Sequence, residues 1–392
     1  NVSQGGRDPS VVDKATPPSI SPARAQAHGL TMRGAGRLIE GTDDSTRRAQ
    51  VLFEEAIAAD STFVDAWVGL GAVYTDRLYQ SRAGGVQSFE LADHAFRRAL
   101  ELDPRSARAL EGIVNVLFLR GDFVGCVRAV QEHTWARGDS IDILLLQGRA
   151  LISVFPELAI AKYMRVLELD RNNREALWWL ITALSWTGDH DGNVESSTRY
   201  LRQFGSDTEV RTWRGMSMMA LGQHRRSVNE VRVAVEQQIG NNLEISVYAG
   251  IVNRRAGDEA EARRLWSAAA ARGQRLLAAS PSNPRMREHL AMLYGWLGDV
   301  ESMERVLATD PGMRDCAPWC VTFELWFLID LGREEELLQI LTERIDRWGN
   351  FGLIDSFLHD LGYDEFLASA GYRRFAEVAD REGKRLRRTV TF

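Results

Sequence analysis

The sequence is short of cysteine, proline and lysine, and each shortage excludes something. Three cysteines in 392 residues cannot staple a disulfide scaffold. Ten prolines beside 33 glycines are too few for a collagen-like or Pro-rich low-complexity chain. No apolar run approaches the roughly 18 residues of a membrane span, and the longest candidate, Trp319–Leu331, is broken by Glu324 and Asp330. Basic charge is not in excess: the formal net charge is −6, which offers no field for nucleic acid, so no nucleic-acid partner is expected. Lys14, Lys162 and Lys384 are the only lysines, against 45 arginines. That skew fits GC-rich coding and a bacterial source. The chain starts at Asn1 without methionine or an apolar signal stretch, which leaves open a removed leader or a longer reading frame. A bacterial extracytoplasmic location goes with this reading.

What is present is periodicity. Glycine-centred turn signals recur at Gly121, Gly188, Gly222, Gly257, Gly298 and Gly332, at intervals of 67, 34, 35, 41 and 34. The first interval is two steps, with Phe155–Pro156 marking the turn between them. The interval of 41 is one step plus seven residues, two further helical turns, which lengthen a helix without rotating its apolar face. A register near 34 residues is the signature of a stacked repeat protein.

On both sides of each glycine the apolar residues keep helical spacing. Ala66, Trp67, Leu70, Gly71 and Tyr74 form one stripe; Ala92, Phe96 and Ala99 form a second, closed by Asp103–Pro104. The segment Trp67–Pro104 resembles the tetratricopeptide repeat, with about nine extra residues near Arg77–Gln87 between its helices. Gly148, Gly215 and Gly250 take the small-residue place of other first helices; Ala262, Trp266 and Ala269 repeat the second-helix triplet, and Leu290, Ala291 and Tyr294 give another first helix. The resemblance implies an all-α, right-handed superhelix (α-solenoid) of about eight to nine hairpins over residues 23–348. Each hairpin leaves an apolar face that the next must cover.

The ends differ. Residues 1–22 carry Gly5, Gly6, Pro9, Pro17, Pro18 and Pro22 without periodicity and read as an extended tail or linker, held against a surface. A first helix carries Ala25, Ala27, Leu30, Met32 and Leu38, and Thr42-Asp43-Asp44-Ser45 caps the second. The stretch Ala23–Tyr74 is similar to opening repeats of tetratricopeptide modules in bacterial signalling proteins. Residues 349–392 read as a helical cap with a basic tail of Lys384, Arg385, Arg387 and Arg388.

Catalytic constellations are scarce. Gly34-Ala35-Gly36 and Gly69-Leu70-Gly71 sit inside helical patterns and follow no strand, so they read as packing rather than phosphate loops. Asp189-His190-Asp191-Gly192-Asn193 resembles a calcium loop, but its glycine comes too early and no bidentate glutamate follows. Cys316 and Cys320, four apart, share a helical face and read as buried thiols or a disulfide; Cys126 sits at a small-residue core place. The seven histidines are scattered. No enzyme class, cofactor or metal is expected.

Eleven tryptophans exceed what the stripes require. In superhelices of this kind first helices line the concave surface. That geometry turns Trp178, Trp186, Met216, Met219, Ile251, Met292, Trp296 and Trp326 towards a groove, where such an apolar strip would bind a protein segment. The alternative is that degenerate repeats rotate and these residues are extra core. No Lys/Asn/Arg cluster for a C-terminal carboxylate accompanies the strip, so an apolar helix or extended peptide fits it better. The expectation is a non-enzymatic scaffold or adaptor within a larger assembly. A second expectation is the regulatory region of a signalling protein whose kinase, cyclase or DNA-binding domain lies elsewhere.

Overall fold

The computed structural model describes residues 21–388 apart from 41, 81–84, 121, 135–139, 239–242, 280–283, 309–325, 344 and 346–361. The described residues are helical, with no strand among them. They form nine successive hairpins. The first five are α1 (Pro22–Ile39) with α2 (Asp43–Ala59), α3 (Val64–Gln80) with α4 (Gly85–Leu102), α5 (Ala107–Arg120) with α6 (Phe123–Thr134), α7 (Ile141–Leu151) with α8 (Pro156–Leu169), and α9 (Arg174–Trp186) with α10 (His190–Phe204). Then come α11 (Thr208–Ala220) with α12 (His224–Gln237), α13 (Glu244–Arg255) with α14 (Glu259–Ala279), α15 (Pro284–Leu297) with α16 (Val300–Ala308), and α17 (Trp326–Asp330) with α18 (Glu334–Glu343). A short helix, α19 (Asp364–Leu367), and a long one, α20 (Ala370–Arg388), follow.

The repeated turn has a definite chemistry. Gly188, Gly222, Gly257, Gly298 and Gly332 all have positive φ, between 68° and 89°, a region open to glycine at little cost. The next residue's N–H then reaches back to close the first helix: Asp258 donates to Asn253 at 2.9 Å and Asp299 to Tyr294 at 2.9 Å. Where that residue is aspartate, its carboxylate also opens the second helix. Asp189 accepts from Gly192 N–H at 3.0 Å and Asp258 from Glu261 N–H at 2.9 Å. One Gly-Asp pair therefore ends one helix and starts the next.

Packing between hairpins uses an aromatic wedge. Phe96 on α4 lies against Gly71 on α3 and Gly112 on α5, and a Cβ on either glycine would overlap its ring. Phe53 on α2 lies the same way between Gly34 and Gly69, and Tyr163 on α8 fills the space at Gly148. Missing side chains on first helices admit second-helix rings from the same hairpin and the preceding one, which links each unit to its neighbour. The buried apolar residues form three clusters along the array, one over α1 to α3, one from α2 to α7 and the largest from α6 to α20.

The seven-residue insertion lengthens α14 to 21 residues, against 14 for α12. One local expectation needs correction. The extra residues near Arg77–Gln87 are not simply a loop, because α3 runs to Gln80 and α4 starts at Gly85. Met32 on α1 is 60% exposed. Thr42 caps α2 as the sequence predicts, accepting from Ser45 N–H at 3.1 Å.

First helices also pack on one another, α1 on α3, α3 on α5, α5 on α7, α9 on α11 and α11 on α13. That places them on the tighter, inner radius of the curve. The curve nearly returns on itself, for α15 touches α3.

Candidate protein-binding surface

The eight residues expected to line a groove divide. Met216, Met219, Ile251, Met292 and Trp296 are 2–5% exposed and belong to the largest core cluster. These five are therefore core in this conformation, because inner helices crowd their neighbours closely enough to bury residues just off the consensus stripe. Trp178 and Trp186 on α9 are half-buried, packed on the core with part of each ring in solvent. Trp326 begins α17, and its side chain lies outside the described residues. Cys316 and Cys320 and most of the N-terminal tail, residues 1–20, also lie outside them.

Around Trp178 the structure adds residues that the stripe did not single out. Trp179 packs edge-on to Trp178, 5.0 Å between ring centroids, and stacks on Tyr163 at 6.5 Å. The Arg149 guanidinium lies 5.6 Å from the Trp179 ring centroid and pairs with Glu111 of α5 at 2.5 Å and with Asn115. Farther along, Trp213 on α11 meets Tyr248 on α13 at 5.2 Å. A row of half-exposed tryptophans thus runs over the first helices α9 and α11, with the Arg149 guanidinium of α7 held against Trp179. Burial pushes the Tyr163 and Tyr248 phenols well above their ordinary range, so both stay protonated. The sequence signal for this row was the Trp178-Trp179 doublet, of which only one ring can follow the helix stripe.

Beneath the row, Glu230 of α12 is clamped between Arg211 and Arg214 of α11. Arg214 also donates to Thr198 of α10 at 3.3 Å. Burial pulls the Arg214 guanidinium below its ordinary value, against the pull of Glu230.

A second feature is a cavity of about 540 Å³ where the array meets its C-terminal segment, lined by Arg254, Arg255, Asp330, Glu334, Tyr363 and Phe366 among others. Arg254 pairs with Asp330 at 2.9 Å and sits 4.5 Å from the Trp296 centroid, with Trp266 stacked behind at 5.5 Å. Tyr363 also stacks on Trp296, 6.5 Å between ring centroids. Burial, the largest single influence, would lower the Arg254 guanidinium, but the charge and hydrogen bond of Asp330 together with those of Tyr363 outweigh it and hold it above its ordinary value. Burial pushes the Tyr363 phenol far up, with the Asp330 carboxylate adding to it.

The remaining sequence features are structural. Asp189 caps α10, and Asn193 is buried, its amide nitrogen donating to the Ile181 carbonyl at 2.9 Å and its amide oxygen accepting from the Ser197 hydroxyl at 3.2 Å. Cys126 is buried against the Val114 carbonyl at 3.4 Å, and burial pushes its thiol well up, leaving it unreactive. Among the described residues no cluster of His, Cys, Asp or Glu could hold a metal ion, and no helix is long and apolar enough to cross a membrane.

Residues 82–125 match the tetratricopeptide repeat family model. No curated protein is significantly similar to the chain in sequence. Among solved structures, a tetratricopeptide repeat protein from Parabacteroides merdae ATCC 43184 aligns with a TM-score of 0.51 at 12% identity, covering 69% of this chain and 99% of that one. The human IFIT1 dimer with PPP-AAAA aligns with a TM-score of 0.51 at 11% identity, covering 72% of each chain. Identities this low speak for the fold alone. The 34-residue register, the wedge of ring against glycine, the matched segment and the shared architecture lead to one conclusion: the chain is a tetratricopeptide-repeat superhelix.

Proposed function

We propose that the protein is a non-enzymatic interaction scaffold that holds a protein segment along the inner surface formed by its first helices. The observation that carries this reading is the row from Arg149 through Trp179, Trp178 and Trp186, half-exposed on consecutive inner helices. Aromatic and arginine side chains give large contact area at low entropic cost and dominate protein interfaces. Folding needs none of them half in solvent. Trp326, at the start of α17, is assigned to the same surface as a contact residue. The partner is an apolar helix or extended segment whose polar groups pair with the Glu111–Arg149 rim.

The test is partner capture from the native source, quantified by mass spectrometry, with the unmodified chain and with Trp178→Ala and Trp186→Ala. The expected result is loss of the captured protein with little change in melting temperature. Equal capture per folded molecule by all three chains removes the assignment. Trp296→Ala serves as the contrast: its ring is buried, so the expected outcome is a loss of about 3–5 kcal/mol of stability.

A further inference from the structure

The array is closed at one end and open at the other. At the C-terminal end α20 packs on α18, the last second helix, with Leu338 so close to Gly371 that a Cβ there would meet its methyl at 2.8 Å. At the N-terminal end α1 packs on α2 and α3 through a face that buries Ala27, Leu30, Thr31 and Gly34. Its other face is bare. Ala25, Gly29, Met32, Gly36 and Ile39 are all exposed, Met32 by 60% and Ile39 by 87%. Steps of four, three, four and three put them on one stripe, the spacing by which one helix packs along another.

In the following hairpins this stripe is interior. Gly34 and Gly71 each face the ring of their own hairpin, Phe53 and Phe96, which sets α1 and α3 in register. Gly29, Met32 and Gly36 then take the places of Ala66, Gly69 and Val73, all three buried. Met32, Gly112 and Trp179 also share a register, each nine residues before the glycine that follows its helix, Gly41, Gly121 and Gly188. What covers this place is the second helix of the hairpin before. Phe53 of α2 lies on Gly69, Phe96 of α4 on Gly112, and Tyr163 of α8 stacks on Trp179. The covering helices carry alanine four residues before the ring and a small apolar residue three after it. Ala49, Phe53 and Ala56 of α2 and Ala159, Tyr163 and Val166 of α8 are none more than 1% exposed. Glycine weakens a helix interior, and a Cβ on Gly29 or Gly36 would meet nothing within 4 Å. Among the described residues no packing accounts for either; opposite a larger side chain, both let a further helix come close.

We propose that this face of α1 is a docking site for a helix of another protein, one that carries an aromatic ring with alanine four residues before it and a small apolar residue three after. The site continues the stacking interface by one step. The ring lies on Met32 in a sulfur–aromatic contact, and flanking side chains lie over Gly29 and Gly36. A second copy of the chain suits it poorly. The stripe is centred on Met32, so pairing about a two-fold axis would set the exposed Arg33 against its own counterpart. Head-to-tail stacking is closed off, because α18 already carries α20. The site is separate from the inner surface of Trp178 and Trp186, which lie on α9.

The experiment uses the full chain and, as probe, a fluorescein-labelled peptide with the sequence of residues 156–169, followed by anisotropy. This is α8, which covers a first helix bearing a large side chain, Trp179, at the place of Met32. A covalent link between positions 161 and 165, both exposed in the array, holds the peptide helical. It is expected to bind the unmodified chain, and at least tenfold more weakly the variant Met32→Glu/Ile39→Glu, whose changes lie in solvent. The same peptide with Tyr163→Ser is expected to bind at least tenfold more weakly too. Gly29→Ala/Gly36→Ala is expected to melt later and yet bind the probe at least fivefold more weakly, a combination that a purely structural role would not give. No binding to the unmodified chain, or equal affinity for Met32→Glu/Ile39→Glu, overturns the proposal. A dimer of the unmodified chain that Met32→Glu splits in sedimentation gives the face to a second copy and overturns it. Tighter binding after removal of residues 1–20 gives it to the chain's own tail, with the same consequence. Binding lost with Trp178→Ala or Trp186→Ala but kept by Met32→Glu/Ile39→Glu puts the peptide on the inner surface and overturns it as well.

Discussion

At the scale of single residues, the fold depends on what first-helix glycines leave out. Gly250 faces the Trp266 indole, whose N–H donates to the Val247 carbonyl at 3.1 Å. Gly250→Ala would drive a methyl into that ring and displace the hydrogen bond. The expected cost is about 1–3 kcal/mol, the range for overpacking a filled core, measured by urea denaturation. Caps act on the same scale. Asp207 accepts from the N–H groups of Glu209 and Val210, both at 3.1 Å, and from the Tyr200 hydroxyl at 3.1 Å. Asp207→Ala should cost about 1–2 kcal/mol, with Asp207→Asn recovering most of it because the amide oxygen still caps. The turn glycines were legible from spacing alone, since a positive φ at a fixed register leaves few alternatives.

At the scale of helices, α11 and α12 are joined by the Arg211–Glu230–Arg214 clamp. Removing the carboxylate leaves two part-buried guanidiniums facing each other without the carboxylate between them. Glu230→Gln should cost about 3 kcal/mol, whereas replacing all three residues with apolar ones of similar size should restore much of it. Thermal melts of the two variants check this. The clamp was not legible in the sequence, where three charged residues 16 and 19 positions apart look like solvated faces. The lengthened α14 was legible, because seven added residues are nearly two turns and leave the buried stripe in phase. Groove assignment failed for Met216, Met219, Ile251, Met292 and Trp296 for a related reason. Register tells which way a residue turns from its own stripe, but not how near the neighbouring helix comes.

At the scale of the whole molecule, stability belongs to neighbouring pairs of hairpins, with added ties where α15 touches α3 and Arg387 covers Phe155. Deleting residues 349–392 should raise amide exchange most in α15 to α18 and leave α1 and α2 near their native protection. Uniform loss along the chain would mean one cooperative unit. Acid should loosen the array through its caps and helix-surface pairs. Hydrogen bonds from Thr62, Ser302, Arg264 and Arg385 hold the carboxyls of Asp60, Asp299, Glu261 and Glu382 below their ordinary values. Groups lowered in the folded state stabilise it above their unfolded pKa values, near 4, and lose that contribution as pH falls through the lower folded ones. Melting temperature should therefore stay level from neutral pH to about 5 and fall steeply below about 4.

The sequence by itself determined the repeat, its turns and the rings that fill its glycine gaps. Those are set by neighbours within roughly one 34-residue period, so local spacing carries them. Only the tertiary structure decided which tryptophans keep a face in solvent, how Arg254 comes to lie between Asp330 and the Trp296 ring, and that α20 reaches Phe155. Each of these depends on superhelical curvature, the sum of small rotations between successive hairpins. No single period of the sequence contains that sum, and a few degrees per unit, carried over nine units, move residues from one side of a groove to the other.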